Sequence, residues 1–171
     1  MEKVTAIIEI SQNNPDRIKY EVCPKTGELR VDRLLPEGFT YPQNYGFVPS
    51  TLAPDGDCTD ILVLFPSPIG TLATVTVRVV GALAMSDEHG EDNKLVAVPV
   101  HEVTDAYDSV LSLDDIPKER DEIYNFFENY KKGEEDKFVN IEGWMSESEA
   151  IASLHSDYTR FRNSRHRGDE R

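Results

Sequence analysis

Short β-rich segments separated by turns fill the first two-thirds of the chain, and this pattern restricts the fold more than any other feature. Residues 17–23 (RIKYEVC) alternate between polar and apolar side chains, which is typical of a half-buried strand. A Lys-Thr-Gly turn then leads into residues 28–35 (ELRVDRLL), so the two segments predict a β-hairpin. Residues 34–58 predict a structured loop region. Further predicted strands are residues 4–10, 61–65, 72–84, 94–100 and 137–141.

Helical signals follow in the last third of the chain. Asp114 or Asp115 is expected to cap a helix that has Pro117 in its first turn. Apolar residues recur at helical spacing beyond it, and Gly133 is expected to end the helix.

A second helix is expected to begin at Ser146, which forms a capping-box pattern with Glu149. The apolar stripe of this helix is expected to pack against the strands or a neighbouring subunit, and consists of Ile151, Leu154, Tyr158 and Phe161. Many short strands followed by two helices predict a mainly β, α+β protein, a small barrel with helices outside it. The 171 residues fit one domain, residues 1–163, and the charged residues 164–171 are expected to form a flexible tail.

The chain is strongly acidic. Its 18 Lys and Arg residues oppose 32 Asp and Glu residues, giving a formal charge of −14. This charge disfavours nucleic acids and anionic membranes as partners, and an anionic substrate would need metal ions and a local basic cluster. Cys23 and Cys58 lack CxxC spacing, and the N-terminus lacks a signal-peptide pattern, so reduced thiols and a cytoplasmic location are expected.

Three aspartates, Asp55, Asp57 and Asp60, lie within six residues immediately before an apolar strand. In extended backbone the side chains of Asp55 and Asp57 project from the same face, and Asp60 follows where the strand begins. Three hard oxygen ligands suit Mg²⁺ or Mn²⁺, which would offset the repulsion between the carboxylates. A solvated acidic turn is the alternative interpretation, because Asp-Gly pairs commonly form turns.

A second acidic loop, residues 86–94, contains Asp87 and Asp92 and lies between two predicted strands. On its own this pattern is typical of a polar hairpin tip, but two acidic loops next to buried strands favour a shared metal site. His89 lies inside this loop, where it either contacts the metal site or faces solvent.

Several basic residues accompany the carboxylates. Lys19 shares the polar face of a strand with Glu21, Arg33 is flanked by apolar residues, and Lys131 and Lys137 follow the first helix. Lys131 could simply complement the helix dipole. Cations mixed with clustered carboxylates are nevertheless typical of a polyphosphate site, where metals and basic side chains divide the phosphate oxygens between them. No P-loop pattern is present.

These residues match a known pattern. The segment DGDCTDILV (residues 55–63) resembles the DGDPxD signature of the soluble family I inorganic pyrophosphatases. The segments IIEI, IKYEV, TGELRVDR, YPQNYGFVP, DEHGEDNKLVAVP, FFENYKK and FVNIEGW follow in the order and at the spacing of that family. The resemblance extends from Val4 to Trp144, and the chain is identified as a member of the bacterial type.

The resemblance implies roles for individual residues. The metal-site carboxylates it implies are Asp55, Asp57, Asp60, Asp87, Asp92, Glu9 and Glu21. Our hypothesis for the reaction is that Asp57 accepts a proton from the attacking water or orients it. The substrate-binding residues it implies are Lys19, Arg33, Tyr45, Lys94, Tyr130 and Lys131. The outer members of the cavity are Tyr41, Lys137 and His89.

The family also implies an OB-like five-stranded barrel with two C-terminal helices, assembled as a homo-oligomer, typically a hexamer. The implied reaction is Mg²⁺-dependent hydrolysis of pyrophosphate to two orthophosphates by a metal-activated water, without a covalent intermediate. Several Mg²⁺ ions would serve each site, with Mn²⁺ or Zn²⁺ as substitutes. Cys58 departs from the usual proline, as Val79 and Ser109 depart from a usual proline and histidine, but none of these changes removes a catalytic group.

Three alternatives stay open. A metal-dependent hydrolase of nucleotides or other phosphate esters would need an aromatic pocket for the base. A divalent-cation buffer would give Arg33, Tyr130 and Lys131 no purpose. A pyrophosphatase-like fold without activity would be expected to have lost site residues, and every matched position is retained.

Overall fold

Nine strands and two helices make up the computed structural model, which describes residues 2–168. The strands are β1 Lys3–Ile10, β2 Ile18–Val22, β3 Leu29–Leu34, β4 Asn44–Val48, β5 Thr59–Val63, β6 Thr74–Asp87, β7 Gly90–Glu91, β8 Lys94–Pro99 and β9 Val139–Met145. The helices are α1 Pro117–Asn129 and α2 Glu147–Gly168, and short 3-10 turns occupy Asp105–Tyr107 and Leu113–Asp115. None of the helices in this part of the chain is long and apolar enough to cross a membrane.

Five strands close into a ring in the order β1, β4, β5, β8, β6 and back to β1. Every pairing in the ring is antiparallel except that of β5 with β8. Gly46 permits the close approach of β4 to β1, because a Cβ there would lie 1.8 Å from the carbonyl oxygen of Ile7. The mainly β fold, with a five-stranded ring and two C-terminal helices, is thus confirmed.

Alternate residues of the ring strands face two separate apolar clusters. On β5, Ile61 and Val63 pack in one cluster with Leu154 of α2. Leu62 lies in the other cluster, which includes Phe127 of α1. Each helix therefore covers a different face of the strands, and burial of these apolar side chains drives the packing.

The predicted hairpin is confirmed as a separate two-stranded sheet of β2 and β3. Its register places Lys19 directly opposite Arg33. Its outer face is apolar and open, with Val31 66% and Leu34 60% exposed.

The loop prediction for residues 34–58 was wrong for β4, whose residues are almost all buried. A strand buried on both faces shows no alternation, and the prolines around β4 gave a loop signal. The ring needs this strand, because β4 joins β1 to β5.

The predicted start and end of the first helix were also wrong. Ile116 is the N-cap of α1 and has no side-chain cap, while Asp115 forms a capping box with Ser112 on the preceding 3-10 turn. The helix ends at Asn129, before Gly133. Pro117 does occupy the first turn of the helix.

The second helix begins as predicted, because the Ser146 backbone N–H donates to the Glu149 carboxylate at 2.8 Å. Its apolar stripe packs against the strands, with Leu154 fully buried. The helix continues to Gly168, so residues 164–168 of the predicted tail are helical. The rest of the predicted tail, residues 169–171, lies outside the described residues.

Candidate active site

A cleft of about 460 Å³ lies beside the β2–β3 hairpin and contains all the predicted site residues except Tyr41. Its predicted carboxylates are Glu9, Glu21, Asp55, Asp57, Asp60, Asp87 and Asp92. Its predicted cations and polar groups are Lys19, Arg33, Tyr45, His89, Lys94, Tyr130, Lys131 and Lys137.

The parallel pairing of β5 with β8 brings the two acidic loops together. Residues 53–58 lead into β5 and residues 86–93 lead into β8, so both loops enter the sheet at the same end. The register sets Asp60 beside Lys94. In the first loop, Gly56 adopts a φ of +97° and the Asp57 backbone N–H donates to the Asp55 carboxylate at 3.0 Å.

Lys94 occupies the floor of the cleft and is only 2% exposed. Its ammonium donates to the Asp60 carboxylate, to Asp92 Oδ1 at 2.7 Å and to the Tyr45 hydroxyl at 3.3 Å. Burial alone would lower the pKa of Lys94, but Asp60 and Asp92 raise it well above its usual value. The lysine therefore stays charged.

Lys131, just beyond α1, binds the second acidic loop. Its ammonium donates to Asp87 Oδ2 at 2.7 Å and to the Glu88 carboxylate at 3.3 Å. Burial would raise the pKa of Asp87, but the hydrogen bond from Lys131 leaves that pKa below its usual value. Asp87 is therefore ionised at neutral pH.

The hairpin contributes two more cations to the wall of the cleft. Lys19 binds the Glu21 carboxylate and donates to Asp32 Oδ2 at 2.9 Å. Burial would lower the pKa of Lys19, but these two carboxylates leave it raised. The Arg33 guanidinium lies 5.3 Å from the centre of the Tyr130 ring, a cation–π arrangement.

Among residues 2–168, three carboxylates of the cleft form no salt bridge, and these are Glu9, Asp55 and Asp57. The pKa values of Asp55 and Asp57 are raised, first by burial and then by neighbouring carboxylates. Glu9 is 7% exposed and accepts a hydrogen bond from the Val22 backbone N–H at 2.7 Å. Burial raises the pKa of Glu9 to about 7. The cleft is therefore short of positive charge at its acidic end.

The donor set suits a hard divalent cation such as Mg²⁺, because it consists of carboxylate oxygens whose charge is poorly compensated. Within the described part of the chain, however, no three acidic, histidine or cysteine side chains converge closely enough to form a ready-made metal site. Asp60 and Asp92 bind Lys94, and Asp87 binds Lys131. Each of these carboxylates gives a lysine one oxygen, which leaves lone pairs on the side chain for a metal ion.

The three predicted outer residues differ in position. Tyr41 does not line the cleft: it is 1% exposed, and its ring lies 4.5 Å from that of Phe126 in the aromatic core. His89 has a largely exposed side chain at the mouth of the cleft. Lys137 lies at the rim and donates to the Glu134 carboxylate at 2.9 Å.

Sequence reasoning missed several groups in and around the cleft. Asp32 lines the cleft and binds Lys19, and Glu88 lines it and binds Lys131. Neither was among the predicted site residues, although each is next in sequence to one of them. Cys23 also lines it, together with Cys58. Asp32 and Glu88 could have been proposed because they are adjacent in sequence to Arg33 and Asp87. The position of Cys23 in the cleft follows only from the geometry of the hairpin.

Clustered carboxylates facing lysines, an arginine and a tyrosine in one cleft are typical of a metal-dependent enzyme that cleaves phosphate compounds. Comparisons with known proteins identify the family within this class of enzymes. The chain matches the family described as inorganic pyrophosphatase over residues 6–162.

Relatives and solved structures agree over most of the chain. An inorganic pyrophosphatase from Yersinia pestis is 42% identical over 160 residues, which cover 93% of this chain and 91% of the relative. One from Ralstonia nicotianae is 47% identical over 145 residues, covering 84% and 82%. The structure of an inorganic pyrophosphatase from Coxiella burnetii superposes with a TM-score of 0.89 at 43% identity, covering 94% of this chain and 95% of that one. The chain therefore belongs to the inorganic pyrophosphatase family of enzymes.

Proposed function

We propose that the cleft hydrolyses inorganic pyrophosphate to two orthophosphates and that the reaction requires Mg²⁺. The observation that carries this proposal is the meeting of seven predicted carboxylates with Lys19, Arg33, Lys94 and Lys131 in one cleft of about 460 Å³. Pyrophosphate is small and highly charged, so it needs both cationic side chains and metal ions, and it needs no pocket for a base or an alkyl group.

Residues from two sides of the cleft bind the two phosphate groups. Arg33 and Lys19 face the cleft from the hairpin, and Tyr130 and Lys131 face it from the end of α1. The three cations neutralise the charge that moves onto the leaving phosphate as the bridging P–O bond breaks, and the Tyr130 hydroxyl donates a hydrogen bond to it. Lys94, bound to Tyr45, supports the floor of the cleft.

The acidic side of the cleft holds the metal ions and the nucleophile. Asp55, Asp57, Asp60, Asp87 and Asp92 would hold the ions, with Glu9 and Glu21 around them. When bound, Mg²⁺ lowers the pKa of water and offsets the negative charge of the carboxylates and the substrate.

Asp57 accepts a proton from the attacking water or orients it. The water oxygen forms the new bond to one phosphorus, and the bridging oxygen leaves with the other phosphate. No nucleophilic side chain is needed, so the reaction proceeds without a covalent intermediate.

The direct test is phosphate release from pyrophosphate by the purified protein over a series of Mg²⁺ concentrations, beside ATP and a simple phosphate ester. We expect fast, Mg²⁺-dependent release from pyrophosphate alone. A folded sample that releases no phosphate from pyrophosphate with either Mg²⁺ or Mn²⁺ would refute the proposal, and release from ATP or the ester at equal rates would favour a less specific hydrolase.

We further propose that the protein is a cytoplasmic homo-oligomer, a hexamer of the 19.3-kDa chain. The open apolar side chains Val31, Leu34 and Phe138 support self-association, because each is more than half exposed in the single chain. Light scattering after size exclusion is expected to give the mass of six chains, and the mass of one chain would exclude the hexamer.

A further inference from the structure

We propose that Glu134 is a positioning residue, which holds Arg33 and Lys137 at the rim of the cleft so that their free N–H groups receive a phosphate group. The inference deepens the proposed function and rests on it. Glu134 itself does not line the cleft, so it acts through the two cations.

One carboxylate joins the two cations. Glu134 Oε1 accepts from Arg33 Nη1, and Glu134 Oε2 accepts from Lys137 Nζ at 2.9 Å. Arg33 belongs to β3, and Lys137 precedes β9, so the bridge connects parts of the chain 101 residues apart. Both side chains of the Arg33–Glu134 pair are mostly buried, at 16% and 25% exposure, so solvent screens this pair less than a surface pair.

The bridge leaves donors available for a ligand. A guanidinium has five N–H donors, and Glu134 engages only Nη1 of Arg33. The Tyr130 ring supports the guanidinium at 5.3 Å, so the ring and the carboxylate together fix its plane. A guanidinium fixed in this way binds phosphate oxygens without losing side-chain freedom at that moment.

A turn at the end of α1 places the carboxylate independently of the cations. The Glu134 backbone N–H donates to the Lys131 carbonyl at 3.2 Å, and Gly133 adopts a φ of +88°. Because this turn is formed by backbone, a change at the Glu134 side chain should leave Lys131 and the fold in place. Without the carboxylate, Arg33 and Lys137 would repel each other and lose their common anchor.

The test is steady-state kinetics of Glu134→Gln with pyrophosphate at saturating Mg²⁺. The amide can satisfy only one of the two cations, so we expect KM to rise roughly tenfold, the loss expected for one charge-assisted hydrogen bond. We expect kcat to fall as well, because Arg33 also stabilises the charge on the leaving phosphate, but by less than in Asp57→Asn, which removes the proton acceptor. Glu134→Asp keeps the charge on a side chain one methylene shorter, and its KM should lie between those of the wild type and Glu134→Gln.

Glu135→Gln is the matched control, since Glu135 is the exposed neighbour and the change in net charge is the same. Its KM should equal that of the wild type, and thermal unfolding should show all variants folded. A KM for Glu134→Gln equal to that of Glu135→Gln would overturn the inference while the proposed function stands. A lower KM would also overturn it, because Glu134 would then compete with the substrate. A wild-type protein that is inactive on pyrophosphate would instead overturn the proposed function.

Discussion

At the scale of single residues, the cleft combines buried lysines with a larger number of carboxylates. Lys94 and Lys131 bind carboxylates that are also the proposed metal ligands, so these side chains would be shared between lysines and metal ions. Asp55 and Asp57 remain poorly compensated, and burial raises their pKa values. Divalent cations bound by these carboxylates would offset this negative charge.

Asp57→Asn tests the proposed proton acceptor. The amide keeps the shape of the side chain but cannot take a proton, so we expect turnover to fall about a hundredfold or more with the fold intact. The measurement is kcat at saturating Mg²⁺ beside a circular dichroism spectrum. Full activity in this variant would exclude the role.

Glu9 gives a prediction for pH dependence in the metal-free protein. Its pKa rises from the usual 4.5 to about 7 on folding, so the native state binds the proton more tightly than the unfolded state. Stability from this group is therefore full below about pH 4.5 and is lost as the pH rises to about 7. The difference is about 3 kcal/mol between these limits.

The measurement is urea unfolding in EDTA at several pH values, for the wild type and for Glu9→Gln. The variant should lose less stability than the wild type across this interval, because its side chain does not titrate. Parallel curves for the two proteins would show that Glu9 does not carry the dependence.

At the scale of elements, α2 anchors the loop that carries the first acidic cluster, although it lies on the other face of the strands. Asp157 is 4% exposed, and its Oδ2 accepts from Thr59 Oγ1 at 2.8 Å. Arg160 donates to Asp157 Oδ1 and to the Leu52 carbonyl, both at 2.6 Å. Both ends of the loop are thus attached to the helix.

Asp157→Ala should loosen this attachment. Removal of the carboxylate leaves Thr59 without its acceptor, so we expect a loss of about 2 kcal/mol in the free energy of unfolding. We also expect a higher Mg²⁺ concentration for half-maximal activity, because Asp55 and Asp57 lie on the loosened loop. Ser156→Ala is the control, since Ser156 is exposed and bonds only within the helix. An unchanged Mg²⁺ titration in Asp157→Ala would show that the anchor matters for stability alone.

The sequence predicted these elements unevenly, for physical reasons. Half-buried strands such as β2 were found because their faces alternate, whereas β4 is buried on both faces and lacks that signal. The five aspartates were found because they cluster in sequence, whereas Glu9 and Glu21 came only from the family resemblance. Their pairing with Lys94 could not be predicted, because it depends on the parallel register of β5 and β8. Tyr41 lies behind the cleft with its ring centre 4.6 Å from that of Tyr45, a depth that the sequence does not reveal.

At the scale of the whole molecule, a net charge of −14 opposes compaction. Part of that charge is concentrated in the cleft, where cations that bind only the folded state would stabilise it. We expect Mg²⁺ to raise the melting temperature. At a concentration one hundred times the dissociation constant, the expected gain is about 2.7 kcal/mol.

The control is NaCl at equal ionic strength, which screens the charges without occupying a site. Differential scanning calorimetry should show a larger shift with MgCl₂ than with NaCl. Equal shifts would mean that Mg²⁺ acts only by screening and would contradict a specific site.

Both thiols of the chain open onto the same cleft. Hydrogen bonds from Thr26 and neighbouring backbone N–H groups lower the pKa of Cys23 to about 7, so a large fraction is thiolate at neutral pH and open to oxidation. Burial raises the pKa of Cys58, so Cys23 is the thiol of the cleft that we expect to oxidise first. Preparations handled without a reductant are expected to lose activity before they lose structure, and freshly reduced protein is the proper standard for every rate measured on this enzyme.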